Sequence, residues 1–231
     1  MKAIFKYTGI LLVLLIVFIL GFYLLNNESL PKGETGDKAD KLASKILKAI
    51  NHETYKKTEV FEWTFRNKNN YKWYKQKNIV EVSWDNIKVI LHTKSPEKSE
   101  VFINNKIETH NPELIKKATD NFNNDSFWLI APHKVFDNGV TRSVVNYEGK
   151  DALLVTYTSG GSTPGDSYLW IVDENGMPTD YKMWTKIIPI GGIRATWNKW
   201  KETEAGIQLP IDHKLSLFGL TINMGDVKAY N

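Results

Sequence analysis

Histidine is the side chain in this sequence that is best suited to metal binding or acid–base chemistry. No two histidines lie three or four residues apart, and no His-Glu-x-x-His motif occurs. A metal site would have to be assembled from distant parts of the chain, so we predict histidines scattered on the surface or in loops. They are His52, His92, His110, His133 and His213.

Cysteine is absent from the 231 residues. Its absence excludes disulfides, thiolate zinc sites, iron–sulfur clusters and cysteine nucleophiles. Together with the histidine spacing, this predicts no metal and no cofactor.

The glycine-rich segment 159–165 is where a serine nucleophile or a phosphate-binding loop would be sought. Pro164 stands where a Gly-x-Ser-x-Gly elbow has its last glycine, and no Gly-Lys-Ser/Thr follows. We predict a flexible hairpin loop there, with a mobile lip over a cavity as the alternative. His133 and Asp137 are close enough in sequence to pair, but no nucleophile lies at a known distance. The sequence thus predicts no catalytic residues and no enzyme, and a hydrolase is the least favoured function.

Large aromatic side chains are the most informative part of the composition, with eight tryptophans, ten tyrosines and ten phenylalanines. All the tryptophans follow residue 60, mostly in segments with strand-like alternation. Side chains of this size either fill a core or frame a pocket, and composition leaves both open. The candidate ligand-binding residues, for the case of a pocket, are Trp63, Trp84, Phe127, Trp128 and Trp170.

Two apolar segments have no clean period. Residues 127–137 are interpreted as a crossover that plugs the core, with a rim that contacts an acyl chain as the functional alternative. Residues 187–193 form an apolar turn, for which a buried corner is favoured over an exposed patch for a partner or a membrane.

The N-terminal part of the chain contains the strongest single signal. Residues 7–27 carry no charge, and residues 10–20 are all apolar. About 20 such residues in a helix cross a bilayer. Bulky residues follow where a signal peptidase requires small ones, so we predict an uncleaved signal-anchor. Lys2 and Lys6 precede the run, and the segment after it has no basic excess, which places the N terminus inside.

This interpretation divides the chain into a cytoplasmic N terminus (1–6), a single transmembrane helix (7–27), a linker (28–37) and an extracytoplasmic domain (38–231). The protein is expected in the cytoplasmic membrane, with the C-terminal domain in the periplasm or outside the cell.

The domain is close to charge balance, because the whole chain has 30 basic and 26 acidic residues. Nucleic acid is therefore not expected as a partner. The oligomeric state is not indicated.

Periodicity after the linker predicts an α+β fold that is mostly β. Residues 39–50 have apolar side chains at helical spacing, and Asn111-Pro112 begins a second helix that should end at Asn123-Asn124. Short alternating segments between tight turns predict about ten antiparallel strands. We expect a strongly curved antiparallel sheet or open barrel, with two or three helices on one face, in addition to the transmembrane helix.

Three segments resemble the LolA-like superfamily of lipoprotein carriers, the outer-membrane lipoprotein-sorting type. They are a helix that feeds an aromatic strand (39–65), the apolar crossover (127–137) and a hairpin whose second strand follows Pro178 (168–184). The resemblance covers most of residues 38–230. It implies an unclosed barrel that holds acyl chains under a lid of helices. It departs from the soluble carriers in one respect, because a tethered protein cannot act as a shuttle.

The function we predict is that of a membrane-anchored extracytoplasmic binding protein. Its partners would be the membrane and an apolar ligand, either a lipid or a lipidated protein, held in a concave aromatic β cavity. The alternative is an anchored protein-interaction module with a filled barrel and no ligand.

Overall fold

The first helix is an apolar rod. In the computed structural model, which describes residues 2–108, 111–197 and 199–231, helix α1 spans Lys2–Asn26. Its window Tyr7–Asn26 is long and apolar enough to cross a membrane, and none of that window is buried inside the protein. Length and composition are thus compatible with the predicted anchor.

Three further helices occur in the described residues: α2 (Asp37–Ala49), α3 (His52–Lys57) and α4 (Pro112–Ile130). Helix α2 confirms the periodicity, since Ala39, Ala43 and Ile46 are buried on one face. Helix α3 is short and was not predicted.

Helix α4 begins where the sequence predicts, because the Asn111 side chain accepts a hydrogen bond from the Leu114 amide at 3.1 Å. The predicted end at Asn123-Asn124 is wrong, and the helix continues to Ile130. Leu129 and Ile130 are buried, and this burial outweighs the low helix propensity of two asparagines. The predicted crossover 127–137 is therefore the last helical turn, followed by a 3₁₀ turn, Ala131–Lys134.

The described residues form fifteen strands, all paired antiparallel, so the mostly-β prediction is confirmed and the strand number was underestimated. They are β1 (Val60–Phe65), β2 (Asn69–Tyr74), β3 (Ile79–Trp84), β4 (Ile87–His92), β5 (Glu100–Ile103), β6 (Lys106–Glu108), β7 (Val140–Tyr147), β8 (Lys150–Tyr157), β9 (Ser167–Val172), β10 (Pro178–Trp184), β11 (Ile193–Thr196), β12 (Lys199–Glu202), β13 (Gln208–Lys214), β14 (Thr221–Asn223) and β15 (Lys228–Tyr230).

The strands form three sheets. One has the order β15-β1-β2-β3-β4-β5-β6, the second β11-β10-β9-β8-β7 and the third β12-β13-β14. The third sheet joins the other two: the Thr64 amide of β1 donates to the Met224 carbonyl at 3.1 Å, and the Ser216 amide donates to the Arg194 carbonyl of β11 at 2.8 Å. The sheets are thus hydrogen-bonded in series, with β6 and β7 at the two ends and α4 between them in the chain.

Two large hydrophobic clusters fill the space between these elements. The first lies between the seven-stranded sheet and α4, and the second between the five-stranded sheet, α2 and the segment around Val135. Trp128 of α4 packs against both clusters, with its ring 6.4 Å from Phe65 and 6.0 Å from Tyr181. Helix α4 therefore connects the two cores.

A buried carboxylate fixes the rotation of α4 about its axis. Asp125, which is 3 % exposed, accepts hydrogen bonds from the Tyr71 hydroxyl at 2.5 Å and the Asn69 amide at 2.8 Å, both on β2. Burial raises the pKa of Asp125, although these hydrogen bonds oppose the shift. Because a helix turns about 100° per residue, Phe127 then faces away from this sheet.

The segment after α1 crosses the outer face of the five-stranded sheet. We call residues 27–34 the strap. Glu28 binds at β10, where both its carboxylate oxygens lie 2.6 Å from Lys182 Nζ and its carbonyl accepts from the Trp184 indole at 2.8 Å. Glu34 pairs with Val144 on the free edge of β7 through two hydrogen bonds of 2.8 Å. The strap thus covers an edge strand that would otherwise have open backbone groups.

Replacing Glu28 with alanine should lower the free energy of unfolding by about 1–3 kcal/mol, because Lys182 is almost fully buried and would lose both carboxylate oxygens. Chemical denaturation of the full chain in detergent measures this. The control is Glu204→Ala in the exposed turn between β12 and β13, which should change stability by less than about 0.5 kcal/mol. Equal effects would show that the strap contributes nothing to stability.

Candidate functional site

A cavity of about 450 Å³ lies at the open end of the second cluster. It is bounded by the second half of α4, by strands β8, β9 and β10, and by two loops, residues 158–166 and 185–188. Its volume lies within the range of small-molecule sites, roughly 300–1,000 Å³. The wall is assembled from elements distant in sequence.

The wall is aromatic. The Phe127 ring lies 4.5 Å from the Tyr168 ring and 5.3 Å from the Tyr157 ring, the latter edge-on. Tyr181 and Met183 of β10 continue the same face, in register with Trp170 and Tyr168 of β9. Such a wall offers dispersion contacts to an apolar molecule.

The tyrosine hydroxyls do not supply charge to this wall. Burial raises the pKa of Tyr157, Tyr168 and Tyr181 well above the ordinary value. The Tyr157 hydroxyl donates to the Ala131 carbonyl at 3.2 Å. The phenols are therefore neutral at physiological pH.

The mouth of the cavity is polar. It is lined by the glycine-rich loop and by side chains of α4 such as Asp120 and Asn123. Ser162 at the loop tip donates to Asp120 Oδ1 at 3.1 Å and accepts from Asn123 Nδ2 at 3.2 Å. These two bonds latch the loop onto α4. A polar rim around an apolar interior suits an amphipathic ligand with an acyl chain inside and a headgroup outside.

The five sequence-predicted residues are not brought to one place. Phe127 and Trp128 line the cavity. Trp63 and Trp84 lie in the first cluster, where Trp63 stacks on Tyr71 with ring centroids 4.5 Å apart. Trp170 is fully buried in the second cluster, and its ring stacks 5.6 Å from that of Tyr168.

Most of the cavity wall was not predicted from the sequence, because the candidate residues were chosen among the tryptophans and not among the tyrosines. The missed wall residues include Tyr157, Tyr168, Tyr181 and Met183. A usable signal was available in the strand alternation. Tyr181 and Met183 share one face of β10, and the register sets them opposite Trp170 and Tyr168.

The apolar turn 187–193 has features of both alternatives, the buried corner and the exposed patch. Ile188 and Ile190 pack against the second cluster, as a buried corner would. Ile187 is 65 % exposed and also lines the cavity.

Two histidines that do not line the cavity form a pair. His52 Nδ1 and His133 Nδ1 are 3.3 Å apart, and the Tyr55 ring stacks on His133 with centroids 4.3 Å apart. The suggested partner of His133, Asp137, instead forms an ion pair with Lys134. Within the part of the chain that the structure describes, no three histidine or acidic side chains are grouped for metal binding.

The prediction of surface or loop histidines is wrong for two of the five. His133 and His213 are buried, the latter on β13 with its Nδ1 at 3.1 Å from the Thr196 carbonyl. Burial lowers the pKa of His133 to about 3 and that of His213 to about 4. Both are therefore neutral packing residues, while His110 lies outside the described residues.

Comparison with known proteins gives a limited result. No family model matches the sequence, and no curated protein matches it. Among solved structures, a DUF1329 family protein from Desulfovibrio piger matches with a TM-score of 0.44 and 10 % identity, over 84 % of this chain and 93 % of the other. A domain described as an outer membrane lipoprotein-sorting protein from Vibrio parahaemolyticus matches with a TM-score of 0.35 and 10 % identity, over 81 % and 93 %.

The second of these structures is of the kind that the sequence resemblance names. At such TM-scores and identities neither similarity bears on what this chain binds.

Stability should fall when the pH is lowered from 7 to 5. His133 and His213 have folded pKa values below the ordinary 6.5, so below that pH the unfolded chain takes up protons that the folded chain does not. The stabilisation is complete above pH 6.5 and is lost as the pH falls towards the folded values. At pH 5 each histidine should account for about 2 kcal/mol.

His133→Gln tests this in urea denaturation at both pH values, since the loss between pH 7 and 5 should shrink by His133's share. His92→Gln on β4 is the control and should keep the full loss. An unchanged pH dependence in His133→Gln would contradict the assignment.

Ser162→Ala should release the glycine-rich loop, because it removes both bonds of the latch. We expect faster cleavage by proteinase K within residues 158–165, with the free energy of unfolding changed by less than about 0.5 kcal/mol. Ser159→Ala, in the same loop but outside the latch, should be cleaved at the rate of the unmodified chain. Equal cleavage of both variants would refute the latch.

Proposed function

We propose that this chain is a membrane-anchored extracytoplasmic binding protein that holds an apolar ligand, a lipid or the acyl chain of a lipidated protein. The proposal depends on one observation, the cavity of about 450 Å³ with an aromatic wall and a polar mouth. No catalytic residue is assigned, and the ligand is held by burial of hydrocarbon.

The arrangement of the sheets supports an unclosed barrel as the frame of this site. Three sheets are hydrogen-bonded in series, and their two ends, β6 and β7, are joined in the chain through α4. We propose that the series curves around α4, so that the helix occupies the opening of the barrel and its second half forms one wall of the cavity.

The energetics favour a hydrocarbon chain. Burying each methylene contributes about 0.8 kcal/mol, so eight to ten of them contribute roughly 6–8 kcal/mol before the cost of association is subtracted. The phenols of the wall are neutral. The charged side chains that line the cavity already have partners, since Lys134 pairs with Asp137, and Asp166 accepts from the Thr163 hydroxyl at 2.6 Å and the Lys186 amide at 2.9 Å. The headgroup would remain at the polar mouth.

The anchor and the sidedness complete the proposal. Helix α1 would span the cytoplasmic membrane over residues 7–27, with residues 1–6 inside and the domain 38–231 outside. The apolar window of α1 supports this, and the excess of lysines before it supports the direction. The strap then holds the domain close to the membrane rather than on a loose tether.

The alternative, an interaction module with a filled barrel, fits only part of the molecule. Most of the first cluster is filled, by residues such as Trp63 and Trp84, although its Phe122 also lines the cavity. The second cluster borders the cavity, which a filled module would not need.

Affinity for saturated fatty acids should rise with chain length until the cavity is full. Shortening a bound chain by two methylenes should cost about 1.6 kcal/mol, or roughly 15-fold in Kd. Binding is measured with the full chain in amphipol, from quenching of tryptophan fluorescence by brominated fatty acids, because Trp128 lines the cavity. Unlabelled acids of different length then compete.

A cavity-filling variant provides the matched test. Ser126 of α4 is buried and lines the cavity, so Ser126→Phe should abolish quenching. Ser44→Phe makes the same change at an exposed position of α2 and should bind like the unmodified chain. Absence of quenching in the unmodified chain, or equal binding by both variants, would contradict the proposed function.

A further inference from the structure

Two loops of the domain expose large apolar side chains at the same end of the molecule. The first, residues 185–192, connects β10 to β11, and the second, residues 215–220, connects β13 to β14. Ile187 is 65 % exposed in the first loop, and Phe218 and Leu220 are 75 % and 56 % exposed in the second. Large apolar side chains that are exposed together mark sites of contact with a protein or a membrane.

Both loops lie beside the end of the apolar helix α1. The Phe218 ring stacks on the Phe22 ring, with centroids 5.8 Å apart and an angle of 11° between the planes. In the other loop, the Gly191 amide donates to the Asn27 side chain at 2.8 Å. Phe22 precedes the helix end at Asn26 by four residues, or about 6 Å along the axis. The Phe218 ring of the second loop therefore lies beside the apolar window of α1, about 6 Å before the end of that window.

The charges around these loops suit a lipid surface. Neither loop contains an acidic residue, and Lys186 and Lys214 lie at their starts. Two acids contact the first loop. Glu28 is paired with Lys182 at 2.6 Å, and Asp166 is buried, where it accepts from the Lys186 amide at 2.9 Å. Exposed lysines beside apolar loop tips are complementary to anionic headgroups over hydrocarbon.

The backbone of the second loop is shaped to present its aromatic side chain. Phe218 has a φ of 58°, in the left-handed region that bulky residues avoid, and it is not held there by burial. Such a conformation costs on the order of 1 kcal/mol. The loop thus holds the exposed Phe218 ring against Phe22 of α1 in spite of this cost.

We propose that Ile187, Phe218 and Leu220 form a membrane-facing surface, which rests in the interface of the bilayer that holds α1. Ile187, which is exposed, and its neighbour Ile188 also line the cavity. The cavity thus opens at the bilayer surface, and an acyl chain passes between membrane and cavity without crossing water. This inference depends on the proposed function, because it needs α1 in the membrane.

The absence of cysteine from the chain makes the test direct, since one introduced cysteine is labelled uniquely. The variants are Ile187→Cys and Phe218→Cys. Ile107→Cys is the control, because Ile107 is 67 % exposed on β6, the far edge strand of the seven-stranded sheet. Each full-length variant is labelled with an environment-sensitive fluorophore and reconstituted into nanodiscs of phosphatidylcholine and phosphatidylglycerol, with or without brominated acyl chains.

We expect blue-shifted emission and strong quenching by brominated lipid at positions 187 and 218, and neither effect at position 107. Labels at 187 and 218 that behave like the label at 107 would overturn the surface. Emission that shifts with protein concentration in detergent, without quenching in nanodiscs, would assign these residues to a second copy of the chain and also overturn it.

Failure of the inference is distinguishable from failure of the proposed function. Retention of the chain in liposomes after an alkaline carbonate wash reports on the anchor alone, and fatty-acid quenching reports on the cavity alone. Unquenched labels in a retained, ligand-binding chain refute only the membrane-facing surface. Loss of the chain in the wash refutes the anchor and the surface together.

Discussion

The position of helix α4 between two sheets is the constraint on which the rest of the structure depends. Asp125 cannot be buried without hydrogen-bond partners, and Tyr71 and Asn69 of β2 supply them. This polar contact fixes which face of the helix meets the seven-stranded sheet. Phe127 is then turned towards the five-stranded sheet, where it forms part of the cavity wall. A single helix rotation thus sets both the contacts of α4 with the first cluster and its part of the cavity wall.

The difference between the two cores follows from what each sheet presents to α4. The first sheet presents Trp63, Trp73 and Tyr71, whose rings interlock with Phe122. The second sheet presents Tyr168 and Tyr181 opposite the final turns of the helix, and α4 ends there in a 3₁₀ turn. The space alongside these turns is closed by two loops, residues 158–166 and 185–188, and it forms the cavity.

The strap, the anchor and the cavity are connected in space as well as in the chain. Glu28 ties the segment after α1 to Lys182 and Trp184 on β10, the strand that carries Tyr181 and Met183 on its other face. The same strand leads into the loop that contains Ile187. One strand therefore has the attachment of the anchor on one face and the cavity wall on the other.

The local elements were predictable where the chemistry is local. The Asn111 cap and the amphipathic helix α2 follow from side chains within a few residues of each other, and they were found. The end of α4 was not found, since burial of Leu129 and Ile130 outweighs the asparagines before them. Strand β2 contains several polar residues, and only the structure shows that its Tyr71 pairs with Trp63 and its Trp73 with Phe61.

The sequence alone determined the apolar N-terminal helix, the dominance of antiparallel strands and the wealth of aromatic side chains. These properties depend on composition and short-range periodicity, which a linear chain displays directly. Only the tertiary structure decided which aromatic residues fill a core and which border a cavity. The reason is geometric: Tyr157, Tyr168 and Tyr181 meet Phe127 only after strand register and helix rotation are set by contacts between residues distant in the chain.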